Sequence, residues 1–539
     1  MIALQDTAWW LPFLLYAETH YRFRYFFSLL RKREPEIIAD APHRLEPGRP
    51  LPLLVLAKDA NSYPCTLRQV TVAVRQKAAV LFEGELLPAP RHLDKPFWWE
   101  ILRLDARSWS GWVELEVALQ VEQDGRVKTY YSDNHRTSTH KPLRVFVARE
   151  PLPSFPNLVL GDAHTHSNYT DDQVEFGPPL RSSRELCQAM GLSFFCVTDH
   201  SYDLDDHVES YLANHPNLPK WKALQTEITD ANSETGTFAI IRGEEITCRN
   251  LKGRNVHLLL LGAREYISGS GDGAERWLRT RSEHSIHELL ASRKEGTIAC
   301  AAHPQERVPF LQRLLLRRGS WSDRDLQTEG LSGIQFANGL LGAGFWMGKR
   351  SWVKALLGGR HVYAVAGNDA HGNFNRFRQV GFPFFKIKER GHQLFGQMRT
   401  GVVLDGGVSE GGILDALRDG RSIISDGPVV RMAILGANGT TTNTGGTVKG
   451  KSQRLSLSAK STSEFGELAL VKVIIGEIGA KEEKIEHKAE GKLGFELTRE
   501  ATIEASKPSY VRAEVFTTRD PLCDGHSHWC FTNPIWINP

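Results

Sequence analysis

The sequence predicts an α/β chain in which a barrel of alternating strands and helices lies between two antiparallel β units. Three observations predict it. Seven short apolar runs between residues 158 and 366 alternate with segments of helical spacing. His, Asp and Glu recur at the ends of those runs along the whole stretch. On either side the pattern changes to short runs of Val, Leu and aromatics punctuated by Pro, Gly, Asp and Asn, which is how antiparallel sheet reads. Strand–helix alternation calls for parallel pairing with crossovers. Special residues at every strand end favour a closed barrel over an open sheet.

At 539 residues the chain is long enough for three to four domains of roughly 150 residues. The boundaries read as an N-terminal helical segment (1–40), a β-domain (41–150), the barrel (157–427) and a C-terminal β-domain (428–539). Lys+Arg 66 against Asp+Glu 63 gives a net charge of +3, too small for nucleic acid to be a main partner. With 41% hydrophobic and 24% charged residues, global disorder is excluded. Seven Cys in this length is no disulfide framework, which points to the cytoplasm. No apolar run is long enough to cross a membrane, so no transmembrane span is expected.

In the first segment Pro12 opens a helix whose Phe13, Tyr16, Phe23, Phe27 and Leu30 fall near one face, with Arg31-Lys32-Arg33 at its C-terminus. It docks on the body or on a second copy of the chain, or else makes peripheral contact with a membrane surface. Strands follow at Leu51 to Leu56, Gln69 to Arg75, Ala79 to Phe82, Trp112 to Val121 and Leu143 to Val147. Three prolines between Pro151 and Pro156 mark a linker. Helical spacing is clear at Ser183 to Met190, His284 to Lys294 and Trp352 to Leu357. The C-terminal part is β-like again, with a charged, exposed stretch from Glu477 to Lys492.

Chemistry is carried by the ends of the runs. The first leads into His164-Thr165-His166, with Asp171 five residues on. The second ends in Thr198-Asp199-His200, the third in Gly243-Glu244-Glu245, and the fourth contains His257. The fifth ends in His303-Pro304 and the seventh in Asp369-Ala370-His371. One such His alone is ordinarily a satisfied structural residue. Six His and three carboxylates at one end of successive strands are not. Each catalytic ion needs three or four ligands, so nine serve about three ions if carboxylates bridge. Imidazole with carboxylate and no Cys suits Zn, Mn or Fe.

In this order, these motifs resemble the polymerase-and-histidinol-phosphatase (PHP) superfamily, over residues 157 to 372. More narrowly, the flanking β units, Gly411 to Arg421, Ser425 to Pro428 and Thr532 to Trp536 resemble the carbaryl-hydrolase-like group within it. The resemblance implies a distorted (β/α)7 PHP barrel flanked by N- and C-terminal antiparallel β-sandwich-like domains. It implies three divalent metal ions: His164, His166, Glu245 and Asp369 at the first, Glu245, His257 and His303 at the second, and Asp171, His200 and His371 at the third. The pattern Gly-x-Glu selects Glu245 over Glu244. Where relatives often carry Glu, this chain has Gln335.

The resemblance further implies hydrolysis by a metal-bridging hydroxide, with Asp171, Glu245 and His200 as catalytic residues. Phosphomono- or phosphodiesters lead as substrates, and carboxyl or carbamate esters are the alternative. A non-catalytic, metal-stabilised scaffold is a third reading. Arg249, Arg254 and Arg376 are candidates to bind an anionic small-molecule substrate, with Lys252 and Arg378 beside them. Asp162 and Asp199 are candidates to support ligating imidazoles. Cys523, His526, His528 and Cys530 have no standard zinc spacing. None of the nine ligands lies in a flank, so the flanks are expected to stand outside the chemistry. A homo-oligomer is compatible with the sequence, which fixes neither substrate nor metal.

Overall fold

The computed structural model describes residues 34–539 apart from 136–139, 172–175, 209, 235, 272–279, 340, 376–392, 437–439 and 520–524. The expected N-terminal helix, Arg376, Arg378 and Cys523 lie outside the described residues. Glu36–Asp40, assigned above to that helical segment, is a strand. It sits on the edge of a three-stranded antiparallel sheet with Leu51–Lys58 and Phe97–Leu104.

A second sheet is built around the long strands Cys65–Gln76 and Gly111–Gln123. Along Gly111–Gln123 buried and exposed residues alternate, so one face is dry. Val72, Val74, Leu115 and Val117 on that face share one core with Leu53 and Val55 of the first sheet. The proline-rich linker carries neither helix nor strand.

All seven apolar runs of the centre are strands: Leu158–Thr165, Phe194–Val197, Ala239–Arg249, Asn255–Leu261, Ile298–Ala302, Gly333–Asn338 and Tyr363–Gly367. They do not make the expected (β/α)7 barrel. Among the described residues strand accounts for 44% and helix for only 15%, too little helix to follow every strand. Only five residues join Ala239–Arg249 to Asn255–Leu261, too few for a crossover, so the second runs antiparallel to the first. Ile298–Ala302 is antiparallel to it in turn.

Nor do the described residues form a closing ladder. Tyr363–Gly367 pairs with Gly333–Asn338, and beyond it a single bridge, Thr165 to Ala370, meets the first strand. Leu158–Thr165 instead pairs antiparallel with Arg399–Val403. From there the sheet continues through Ser422–Ser425 and Trp529–Thr532 to the C-terminal strands Ser509–Thr517 and Leu468–Glu477. Apolar periodicity located the strands but carried no information on their direction, and one of them, Asn255–Leu261, runs opposite to both its neighbours.

The C-terminal strands face a four-stranded sheet containing Val429–Leu435, Ser452–Lys460 and Glu496–Glu504. Met432, Leu457, Val473 and Val515 meet in the core between them. The charged stretch at 477–492 forms the exposed hairpin strand Lys484–Glu490.

Helices are few and locally specified. Ile286–Ser292 begins with a capping box in which Ser285 and Glu288 satisfy each other's backbone N–H. Glu410–Arg418 is capped by Ser409. Its Glu410 receives Arg242 at 2.7 Å, tying the helix to strand Ala239–Arg249. No described helix is long and apolar enough to cross a membrane.

Candidate metal centre

Strand pairing brings the ligand-type residues together. The parallel register of Phe194–Val197 with Ala239–Arg249 continues as a bridge that sets His200 beside Glu245. In the antiparallel pair, Glu245 lies opposite Leu259 and Thr247 opposite His257, so Glu245 and His257 are diagonal neighbours on one face. His257 Nδ1 lies 2.6 Å from Glu245 Oε1, and His303 Nε2 lies 3.2 Å from the same oxygen. His200 Nδ1 faces the other oxygen, Oε2, at 3.0 Å. His166 Nε2 lies 3.1 Å from Asp369 Oδ1, and His164 Nε2 lies 3.4 Å from it. The His371 ring stacks on His166 with centroids 4.0 Å apart.

Neighbours outside the cluster orient the rings. His164 Nδ1 donates to Gln335 Oε1 at 3.0 Å, which points Nε2 inward. The same Gln335 oxygen accepts the His303 main-chain N–H, while its Nε2 donates to Asn338. His371 Nδ1 donates to the Asp369 carbonyl at 3.2 Å. Two of the group, His303 (φ 29°) and Asp369 (φ 53°), have left-handed backbone, a strain that clusters at functional sites. Gly367 is required by space: a Cβ there would lie 2.6 Å from His164 N.

Glu244 and Glu245 diverge, as strand alternation demands. Glu244 is buried against Trp221 Nε1 (3.0 Å) and Ser201 Oγ (3.2 Å), and burial pushes its carboxyl up to about 7. Glu245 is also buried, yet the His257 and His164 imidazoles outweigh burial and hold it well below the usual carboxylate range. For His164, burial alone would drive its proton off. The Glu245 and Asp369 carboxylates overcome this and lift it to about 9. His166 goes the other way, driven down by burial and by His371 and His200.

Three overlapping groups have donor atoms within 4.8 Å of one another: His164, His166, Glu245 and Asp369; Glu245, His257 and His303; and His166, His200 and His371. Their imidazole and carboxylate donors fit a divalent ion of the Zn, Mn or Fe kind. Glu245 Oε2 and His200 Nδ1, 3.0 Å apart, are buried without a well-formed hydrogen bond, as expected of atoms set to bind something else. Of the nine predicted ligands, Asp171 is the one that no group includes. Its Oδ1 lies 2.6 Å from Lys58 Nζ of the N-terminal sheet.

The other predicted residues fall differently. Arg249 is anchored on the carbonyls of Ser282 and Glu283, and Arg254 on that of Arg313. Asp162 and Asp199 hold main-chain N–H groups, of His164, Asn368 and Gly396 and of Ser167 and Thr170 respectively, and no imidazole. His528 pairs with Asp426 and Cys530 is buried in a strand.

Two cations at the site were not anticipated. One is Lys58, which ends an apolar run. The other is Arg318, whose Nη1 donates to His257 Nε2 at 2.6 Å. Neither carries a motif that sequence could have flagged.

No protein-family model matches this chain, and no curated protein matches it in sequence. Several solved structures show weak likenesses. A glycosyl hydrolase family 2 member from Bacteroides cellulosilyticus aligns over 94% of this chain and 63% of its own, at 8% identity and TM-score 0.17. β-Glucuronidase 2 of Bacteroides uniformis aligns over 95% and 62%, at 9% identity and TM-score 0.18. The chain thus spans less than two thirds of either hydrolase. A native α2-macroglobulin fragment from Escherichia coli aligns over 94% and 100%, at 11% identity and TM-score 0.19. Scores this low do not indicate a shared fold, and the site is read on its own geometry.

Proposed function

We propose that the chain is a metal-dependent hydrolase acting on phosphoric ester bonds of a small-molecule substrate. One observation carries the reading: Glu245, buried, directs Oε1 at His257 and His303 and Oε2 at His166, 3.6 Å away. That is the posture of a carboxylate shared between two ions. Divalent ions held there would acidify a water and offset charge on an anionic transition state. His164, His166 and Asp369 complete one ion's ligands, and His257 and His303 the other's. Gln335 fixes the His164 ring so that its Nε2 lone pair faces inward. The motif order resembling the PHP superfamily supports the same reading.

Access favours the carboxylate side. The Asp369 and His303 side chains are 17% and 12% exposed, against 9% for His200 on the imidazole side. Arg318 stands at this side, and its guanidinium suits a phosphoryl oxygen. Arg318 reaches the centre through His257, whereas Arg249 and Arg254 are held on main-chain carbonyls away from it. The test combines elemental analysis of purified protein with a panel of phosphomonoesters, bis-aryl phosphates, aryl esters and N-methylcarbamates. Metal with phosphoester turnover is expected. Ester or carbamate turnover alone would move the reaction to carbonyl chemistry, and less than about one metal per chain would remove the reading.

A further inference from the structure

The side of the centre formed by His166, His200 and His371 is short of donors. His166 Nε2 already faces Asp369 Oδ1 at 3.1 Å and Glu245 Oε2 at 3.6 Å, and its Nδ1 is turned to Thr170. One imidazole nitrogen has one lone pair and serves one ion. His200 and His371 then remain as this side's own donors, fewer than the three that hold a catalytic ion.

Asp171 would complete the set, but Lys58 holds it. Lys58 is 4% exposed, and its ammonium lies 2.6 Å from Asp171 and 4.9 Å over the Phe176 ring. Phe176 packs on Phe97, the residue paired with Lys58 across the N-terminal sheet. A bridge between Asp171 and Phe176 closes the arrangement. A buried ammonium is tolerated only with such a partner, so this pair is unlike a surface ion pair of little consequence.

We propose that Lys58 sets the metal count of the centre at two: its ammonium stands where a third divalent ion would, and keeps Asp171 from becoming a ligand. This rests on the metal-centre reading above. It makes the N-terminal sheet part of the site, with Lys58 a positioning residue that acts through Asp171.

The test counts and titrates Mn2+ or Zn2+ on the full chain, by elemental analysis after dialysis and by calorimetry. Wild type is expected to hold two ions tightly. Lys58→Met keeps the apolar reach over Phe176 and frees Asp171, so it should gain a third ion or bind it at least tenfold more tightly. Asp171→Asn should stay at two, and the double variant should return to two. Three tight ions in wild type, or a folded Lys58→Met that stays at two, overturns the proposal. If Lys58→Met does not fold, Asp171→Asn decides: no change from two supports it, and a fall from three to two overturns it. Less than one ion in wild type removes the functional reading first, and this inference with it.

Discussion

The carboxylate side of the centre, Glu245 with His257, His303 and Asp369, is carried by strands of the central sheet. The imidazole side, with His200 and His371, leans on both N-terminal sheets as well. There Asp40 Oδ2 accepts the Phe374 N–H, and the Phe374 carbonyl accepts the His43 N–H at 2.9 Å. Asn375 exchanges two hydrogen bonds with the Arg144 backbone, and Lys58 takes Asp171. One side therefore inherits its precision from strand register. The other depends on how the N-terminal sheets grip the loops after His166 and His371. Ligand charge follows the same division, since both carboxylates lie on the first side.

The largest expected effect separates the sides by charge. Glu245→Gln keeps the shape but removes the negative charge that would offset two cations. It should cost at least about a hundredfold in rate and deplete both ions. Near-normal rate with full metal content would mean that Glu245 is not shared. Gly367→Ala comes next, because its Cβ must displace the His164 backbone. A loss of about 10–100-fold is expected from that misplacement, with weakened metal binding and a folded circular-dichroism spectrum. His371→Ala strikes the imidazole side, and roughly tenfold is expected with two ions retained. Loss of both ions would erase the distinction between the sides.

The smallest effect concerns the grip itself. Burial, with Arg399 and Arg44 adding to it, pushes His43 down to about 3 from its ordinary 6.5, so it is neutral in the fold. Between those values the unfolded chain binds the extra proton, so stability must fall as pH drops from 6.5 toward 3. The loss is on the order of a few kcal/mol at its fullest. Melting temperature against pH should be flatter in His43→Gln, and equal slopes would remove His43 from the grip.

The strands and the ligand-type residues were legible because apolar runs and the His, Asp and Glu at their ends are local signals. The split between Glu244 and Glu245 was legible for the same reason, from alternation alone. The barrel was not, because five residues between Arg249 and Asn255 reverse a strand and no periodicity records direction. Lys58 lies 113 positions before Asp171 in the chain, and Arg318 lies 61 after His257. Such pairings are made by tertiary packing, and no spacing rule reaches them. Arg249 and Arg254 misled because a basic loop beside a ligand looks the same whether its side chains face substrate or grip main-chain carbonyls.

Continuity of the central sheet into the C-terminal strands has a consequence for biosynthesis. Strand Ser422–Ser425 has Arg399–Val403 on one side and Trp529–Thr532 on the other. A nascent chain that has emerged only as far as residue 427 therefore presents Ser422–Ser425 as a bare edge of paired-ready N–H and C=O groups. Such edges recruit other chains. Ribosomes on one message hold many such chains close together for the time needed to translate about a hundred further residues. Residues 529–532 thus act as a late cap, and a chain truncated before them should aggregate even with every ligand of the centre in place.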